Sequence, residues 1–224
     1  MSVPAVPAAQ EMLAPVFLAP LVADAARRKV DLGPIFRGLD IEGTDLEEPG
    51  AAVSHQEAIT VVRRAMPLLA LDAHAVAASR LELGLRTRVT ERGALGLGLL
   101  AAATLGDAIG LSLSYPQSAG YLLRIREESS ADEHRLIAEP GLGDQDVQGF
   151  LADLTFSAMV MLRRQVTATQ HRPLAVEFVR PAPAHLAAYQ HFFACPVRFA
   201  CMHNVLITQA QALDLPLPWA NAMA

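Results

Sequence analysis

The sequence predicts an α+β fold, a helical N-terminal half followed by a small antiparallel sheet. Apolar residues recur at helical spacing through residues 20–113, and strand-like alternation first appears at residues 121–126 and 133–139. A long segment, residues 146–166, is apolar around nearly the whole circumference of a helix. Further alternating segments follow at residues 174–179, 197–199 and 204–208. Helices followed by a hairpin, a long buried helix and further strands are typical of the α+β class.

Composition indicates one substantial folded unit. The 224 residues are 52% hydrophobic and 18% charged, which is ample for a core. A net charge of -5 opposes the basic surface that neutralises DNA phosphates, so these residues alone are expected to bind DNA poorly. The longest apolar stretch, residues 94–105, is about half of the roughly 20 residues that span a bilayer. With no continuous apolar signal segment at the N-terminus, we expect a soluble, cytoplasmic protein without membrane contact.

The N-terminal helices follow a segment to which we assign no fold. Residues 1–13 are rich in Pro and Ala, and we treat residues 1–19 as a flexible N-terminus, residues 20–218 as one α+β regulatory domain and residues 219–224 as the start of a linker. Pro20 is a good first-turn residue, and the cations that end residues 21–29 suit a helix C-terminus. A short second helix is predicted over residues 32–38.

Two capping boxes mark helix starts. Ser54 and Glu57 have the S-x-x-E spacing that precedes a third helix, with Pro67 predicted to stop it. Thr104 and Asp107 repeat the arrangement before a helix that runs to residue 113. Between these two lie a predicted helix over residues 72–83 and a small-residue helix over residues 94–103.

The second half supplies the sheet. The strands at residues 121–126 and 133–139 form an antiparallel hairpin around a polar turn. We expect the long helix to lie across the sheet. After the third strand, Pro181 and Pro183 lead into a short helix that ends at Phe193.

Two motifs suggest other chemistry. Residues 96–101 satisfy G-x-G-x-x-A, but a preceding buried strand and a later acidic residue are missing, so close helix packing is favoured over dinucleotide binding. Cys195, Cys201 and His203 have a C-x5-C-x-H spacing, which offers three soft ligands and no evident fourth. We expect two buried, reduced thiols, no metal and no cofactor.

The order of motifs resembles the N-terminal effector-binding domain, of arabinose-binding type, of AraC-family transcription regulators. In the first half the resemblance lies in the small-residue segment at residues 93–100 followed by Thr-Leu-Gly-Asp-Ala at residues 104–108. In the second half it lies in this succession: Val176-Glu-Phe178, Pro181-Ala-Pro183, Tyr189, Phe193, Cys195-Pro-Val-Arg-Phe199 and Leu213-Asp-Leu-Pro-Leu-Pro218. It covers residues 20–218.

The resemblance implies a non-catalytic sensor. Such a domain binds a small organic effector, such as an amino acid, a carboxylic acid or a fatty acid, and controls self-association or DNA binding. It implies a homodimer, and DNA contact only through a C-terminal helix-turn-helix domain that we expect to follow residue 224. The alternative is a stand-alone small-molecule enzyme or carrier that uses the glycine-rich segment or the Cys/His cluster.

Candidate effector-binding residues are polar-tipped side chains near the predicted sheet. We expect an internal, mainly apolar pocket bounded by residues 97–115, the first hairpin strand and the last strand. The alternative for each residue is that the arginines lie on a solvated face and the tyrosines cap the core. Arg86 and Arg88 could likewise bind a carboxylate, although solvent exposure is favoured. The candidates are Leu97, Tyr115, Tyr121, Arg124, His203 and Asn204.

Overall fold

The computed structural model describes residues 11–48, 50–69, 81–141, 143–184 and 186–220. Its helices and strands interleave along the chain in the predicted α+β order, which confirms the fold class. The helices are α1 (Leu18–Arg27), α2 (Gly33–Phe36), α3 (His55–Leu69), α4 (Gly93–Ala101), α5 (Leu105–Ser114), α6 (Pro116–Ala119), α7 (Gln148–Thr167) and α8 (Leu186–Phe193). The strands are β1 (Met12–Leu13), β2 (Val53–Ser54), β3 (Arg124–Ser129), β4 (Glu133–Glu139), β5 (Ala175–Glu177), β6 (Val197–Arg198) and β7 (Asn204–Gln209).

The segment before Pro20 is more structured than the sequence predicts. Strands β1 and β2 pair antiparallel, with Met12 opposite Ser54. The side chains of Leu13, Phe17 and Leu18 are buried in the main core. The assignment of no fold to residues 1–13 is therefore corrected at its C-terminal end, because apolar side chains there dock on the helical half.

The two capping boxes form as predicted. The Ser54 hydroxyl accepts a hydrogen bond from the Glu57 backbone N–H at 3.2 Å, and the Glu57 carboxylate accepts from Ser54. Thr104 and Asp107 make the same reciprocal pair at the start of α5. These bonds satisfy backbone donors that a helix leaves free at its N-terminus.

One predicted helix end is wrong. Helix α3 continues through Pro67 to Leu69, so the proline lies inside the helix instead of stopping it. Residues 72–80 of the helix predicted over residues 72–83 lie outside the described residues. The part that is described, from residue 81, is helical and continues to residue 85.

The main sheet has five strands in the order β3-β4-β7-β5-β6. All of its pairings are antiparallel except β5 with β6, which run parallel. The hairpin is confirmed, but β3 begins at Arg124 and not at Tyr121. Residues 121–123 are instead a buried connection from α6 into the sheet.

Helix α7 packs against the sheet. Phe156 on this helix lies 5.8 Å from Phe178, measured between ring centroids, and Arg163 donates a hydrogen bond to Thr208 on β7. The main core fills the space between this sheet face and the helices, whereas Ile137, Ala175, Val205 and Ile207 form a smaller cluster. Within the described residues, no helix is long and apolar enough to cross a membrane.

Candidate functional site

A small cavity of about 40 Å³ lies between the α4–α5 pair, α7 and the sheet. Most of its wall is aliphatic, and its polar groups belong to two arginines, one tyrosine and one serine. The lining residues are Arg92, Leu95, Leu99, Leu105, Ala108, Ile109, Ser112, Tyr121, Leu136, Met159, Leu162, Arg163 and Val166.

Small residues bring α4 close to the turn before it. A Cβ atom at Gly96 would lie 1.9 Å from the Val89 carbonyl oxygen, so only glycine permits this approach. Gly96 and Gly98 both lie inside α4 and not in a strand-to-helix turn. Close helix packing therefore accounts for the G-x-G-x-x-A segment, as the sequence analysis favoured.

Arg163 presents a buried cation to the cavity. Its residue is 4% exposed, and its Nη1 donates to the Thr208 hydroxyl at 2.5 Å. Within the described part of the chain, its Nη2 has no hydrogen-bond partner. Burial lowers the pKa of Arg163 to about 10, and interaction with Tyr121 partly opposes that shift. The side chain is thus still charged at neutral pH.

Arg92 reaches the same cavity from the turn before α4. Its residue is 5% exposed, its Nη1 donates to the Ala119 carbonyl at 2.6 Å, and its guanidinium lies over the Phe17 ring. Its Nε and Nη2 have no partner among the residues described. Burial lowers the pKa of Arg92, opposed by Tyr121 and Glu91.

Tyr121 lines the cavity together with the two arginines. Its side chain is almost fully buried, and its hydroxyl donates to the Ser112 hydroxyl at 3.1 Å. Arg92, Tyr121 and Arg163 line the same cavity, and Tyr121 opposes the lowering of the pKa of both arginines by burial. Both arginines face a wall that is otherwise apolar.

Other interior arginines are paired. Arg180 donates to the Asp153 carboxylate at 2.8 Å and to the Tyr189 hydroxyl, although its own Nε is unpartnered. Arg164 donates to the carbonyls of His171 and Phe192. In the described ranges, neither Arg92 nor Arg163 forms an ion pair with a carboxylate within 4.0 Å. The cavity is therefore bordered by two guanidinium groups that have no carboxylate within ion-pair distance among the described residues.

One of the six candidate residues lines the cavity. Tyr121 does so, whereas Leu97 on α4 and Tyr115 after α5 are 69% and 56% exposed. These two side chains are exposed to solvent. The sequence did not reveal this for Leu97, because a helix that is apolar all round gives little information about which face is buried.

The other three candidates lie on the sheet or immediately before its strand β7. Asn204 is buried, but its Oδ1 accepts from the Val179 backbone N–H at 3.0 Å, which holds two chain segments together. Arg124 lies 4.0 Å from Glu139 on the neighbouring strand, and His203 is exposed. The structure does not bring these three to the cavity.

The Cys/His segment makes no ligand cluster. Cys195 and Cys201 are free and half-buried, which corrects the prediction that they are buried. Burial raises the pKa of Cys195 to about 11, so its thiol stays protonated at neutral pH. Among the described residues, no group of three or more His, Cys, Asp or Glu side chains could hold a metal ion.

Sequence reasoning missed both arginines of the cavity. Arg163 did carry a signal, since it interrupts a helix predicted to be buried on most sides, and a charged residue there needs a partner. Arg92 carried none, because the polar run from Arg86 to Arg92 is typical of a solvated loop.

An α+β domain that encloses an apolar cavity with a few placed polar groups has the arrangement of a small-molecule-binding domain. The chain belongs to the family described as the arabinose-binding domain of AraC transcription regulator, N-term, whose model matches residues 30–217. The resemblance drawn from the sequence motifs is confirmed. The chain is thus a regulatory domain of the AraC type.

Relatives of this chain agree with the family. HTH-type transcriptional regulators of Mycobacterium bovis and Mycobacterium tuberculosis are each 24% identical to this chain over 224 residues, covering 96% of this chain and 63% of the relative. The ornithine utilization regulator of Pseudomonas aeruginosa is 28% identical over 143 residues, covering 63% of this chain and 42% of that protein. This chain thus spans less than two thirds of the length of these relatives.

The crystal structure of the transcriptional regulator CdpR from Pseudomonas aeruginosa matches the fold with a TM-score of 0.65 and 19% sequence identity. The match covers 93% of this chain and 59% of that one. At this identity the likeness shows a shared fold.

Proposed function

We propose that the chain is the effector-sensing part of a cytoplasmic AraC-type transcription regulator, without catalytic activity. A small organic effector binds in the cavity between α4–α5 and α7 and changes the activity of a helix-turn-helix reader. The observation that carries the proposal is the mainly apolar cavity bordered by Arg92, Arg163 and Tyr121, inside a domain of a regulator family.

The size of the cavity indicates how binding is linked to a change of shape. At about 40 Å³ it holds a small polar group and not a whole effector, since small-molecule pockets measure about 300 to 1,000 Å³. The effector therefore binds a more open arrangement in preference to this one. Differential affinity for two arrangements is what a regulatory switch requires.

The α4–α5 wall is the side that moves. Helix α7 is buried over most of its surface and is anchored to the sheet, for example by Arg163 on Thr208. Helix α4 leaves Leu97 exposed to solvent, so its displacement disrupts fewer buried contacts. Movement of α5 reaches the end of the described chain directly, because Leu105 N–H donates to the Leu215 carbonyl at 2.9 Å.

Self-association belongs to the same proposal. We propose a homodimer, on the strength of the family role, with DNA contacted through the helix-turn-helix part. Sedimentation of the chain with and without its effector measures this directly, and a monomer under both conditions refutes the dimer without affecting effector binding.

The test is a melting screen of the chain against amino acids, short carboxylic acids, fatty acids and arabinose. A ligand at about a hundred times its dissociation constant stabilises the folded form by about 2.7 kcal/mol. For a domain of this size that raises the melting temperature by roughly 5 to 10 °C.

A cavity-filling variant locates the effect. Ala108 lines the cavity, so Ala108→Val is expected to abolish the shift. The matched control is Ala26→Val at an exposed position of α1, which keeps the shift. Equal shifts in both variants would place the effector elsewhere, and an absence of any stabilising compound would refute the sensing role.

A further inference from the structure

We propose that Arg92 and Arg163 together bind the carboxylate of the effector, so that the effector is a small carboxylic acid with an apolar chain. This inference rests on the sensing function proposed above and specifies its ligand. It follows from which donor atoms the fold leaves without partners and from what surrounds them.

Arg92 offers the edge of its guanidinium that matches a carboxylate. Its Nη1 is already committed to the Ala119 carbonyl, while Nε and Nη2 have no partner among the described residues. In a guanidinium, Nε–H and the neighbouring Nη2–H point the same way and form a fork, and a carboxylate accepts both bonds side by side. The free donors are therefore a bidentate pair and not two unrelated atoms.

Arg163 supplies a second donor and charge from the opposite wall. Its Nη1 is held by Thr208, and its Nη2 has no partner in the described part of the chain. Both arginines are at least nine-tenths buried, at 5% and 4% exposure. An isolated buried cation is costly, so an anion bound by both arginines would relieve the cost of burying each charge.

The contrast with Arg180 argues against a purely structural role. Arg180 is also buried over most of its surface, and the fold places the Asp153 carboxylate 2.8 Å from it. The fold provides no such carboxylate to Arg92 or Arg163 in the described ranges, although both lie in the same core. A bound carboxylate would do for these two what Asp153 does for Arg180.

The remaining wall selects the rest of the ligand. Beyond Tyr121 and Ser112 the lining is aliphatic, with Leu95, Leu99 and Ile109 on the α4–α5 side. Met159, Leu162 and Val166 face them from α7. An amino group or a sugar would bury unpaired donors against this wall, whereas an alkyl chain would not.

The test compares sodium octanoate with its neutral isostere octanamide on the chain at pH 7. We expect octanoate to raise the melting temperature in a concentration-dependent manner and octanamide to leave it unchanged. Shorter and longer acids, from butanoate to dodecanoate, then define the chain length by calorimetry.

Variants assign the headgroup to the two arginines. Arg163→Gln and Arg92→Gln are each expected to raise the dissociation constant for octanoate at least about tenfold, since a charge-assisted hydrogen bond is lost. Arg92→Lys keeps the charge without the fork and should restore only part of the affinity. The matched control is Arg198→Gln, an exposed arginine on β6 paired with Glu177, which should bind as the wild type does.

The outcomes separate this inference from the function on which it rests. Equal stabilisation by octanamide, or binding of only neutral or cationic compounds in the wider screen, overturns the carboxylate inference and leaves the sensing role intact. Wild-type octanoate affinity in both Gln variants overturns the assignment to these arginines. No stabilisation by any compound overturns both proposals. Should a Gln variant fail to fold, the octanoate–octanamide comparison on the wild-type chain still decides whether a carboxylate is required.

Discussion

Replacing Arg163 by an apolar side chain of similar length is expected to stabilise the ligand-free domain. Burial lowers the pKa of Arg163 to about 10, well below the usual value of a guanidinium. Because the folded-state pKa lies below the unfolded value, the charged form is disfavoured in the folded chain at every pH below about 10. At about 1.4 kcal/mol per pKa unit, this disfavours the folded state by roughly 3 kcal/mol.

Loss of the hydrogen bond from Arg163 to Thr208 opposes the stability gained by removing the buried charge. A bond from a charged donor contributes about 1.5 to 3 kcal/mol, and Arg163→Met alone would leave the buried Thr208 hydroxyl without its partner. The double variant Arg163→Met/Thr208→Val removes both groups. We expect a net gain of about 1 kcal/mol, or roughly 2 to 4 °C in melting temperature.

Chemical denaturation followed by circular dichroism measures the difference. The adjacent Arg164→Met serves as the control, because Arg164 donates to two backbone carbonyls and its removal should destabilise the domain by about 1 to 3 kcal/mol. A double variant less stable than the wild type by more than about 1 kcal/mol would show that Arg163 supports the fold and is not reserved for a ligand.

Three further outcomes follow from the structure. Gly84→Ala should destabilise the domain by about 1 to 3 kcal/mol in urea unfolding, since the new Cβ would lie 1.9 Å from the Ser157 hydroxyl oxygen. Gly110→Ala is the control, because nothing lies within 4 Å of its Cβ, and it should stabilise the domain by up to about 1 kcal/mol. Thr104→Ala should cost about 1 kcal/mol through loss of the capping box, and a melting temperature equal to the wild type would contradict this. Burial, and after it the nearby arginines, lowers the pKa of His171 to about 4, so the unfolded chain binds more protons between pH 6.5 and 4 and stability should fall as the pH is lowered through that window. His171→Gln should flatten this pH dependence, and an unchanged slope would assign it to other groups.

The parts of the fold that local sequence determines were predictable. The capping boxes at Ser54 and Thr104 depend on residues three positions apart, and both formed. Strand β4 has the predicted bounds, because its alternation is closed by polar residues at each end. Pro67 was misjudged because packing of α3 can override the local signal of a proline, which removes a hydrogen bond from the helix.

The site was less predictable because it depends on tertiary partners. Asn204 was chosen as a polar-tipped residue near the predicted sheet, yet whether it serves a ligand or the Val179 backbone depends on chain segments far away in sequence. The same holds for Arg163. It differs from Arg180 because Arg180 pairs with the Asp153 carboxylate, whereas Arg163 has no such partner in the described ranges. Tyr121 was chosen as a polar-tipped residue on the predicted sheet, and its side chain lines the cavity.

The most direct test of the account is the NMR signal of the buried Arg92 side-chain Nε–H, assigned by its loss in Arg92→Gln. Its proton is predicted to donate to the effector carboxylate together with Nη2. We expect this resonance to shift downfield when sodium octanoate is added to the chain and to stay in place with octanamide. An Arg92 Nε–H resonance that stays in place at an octanoate concentration that saturates binding would contradict it.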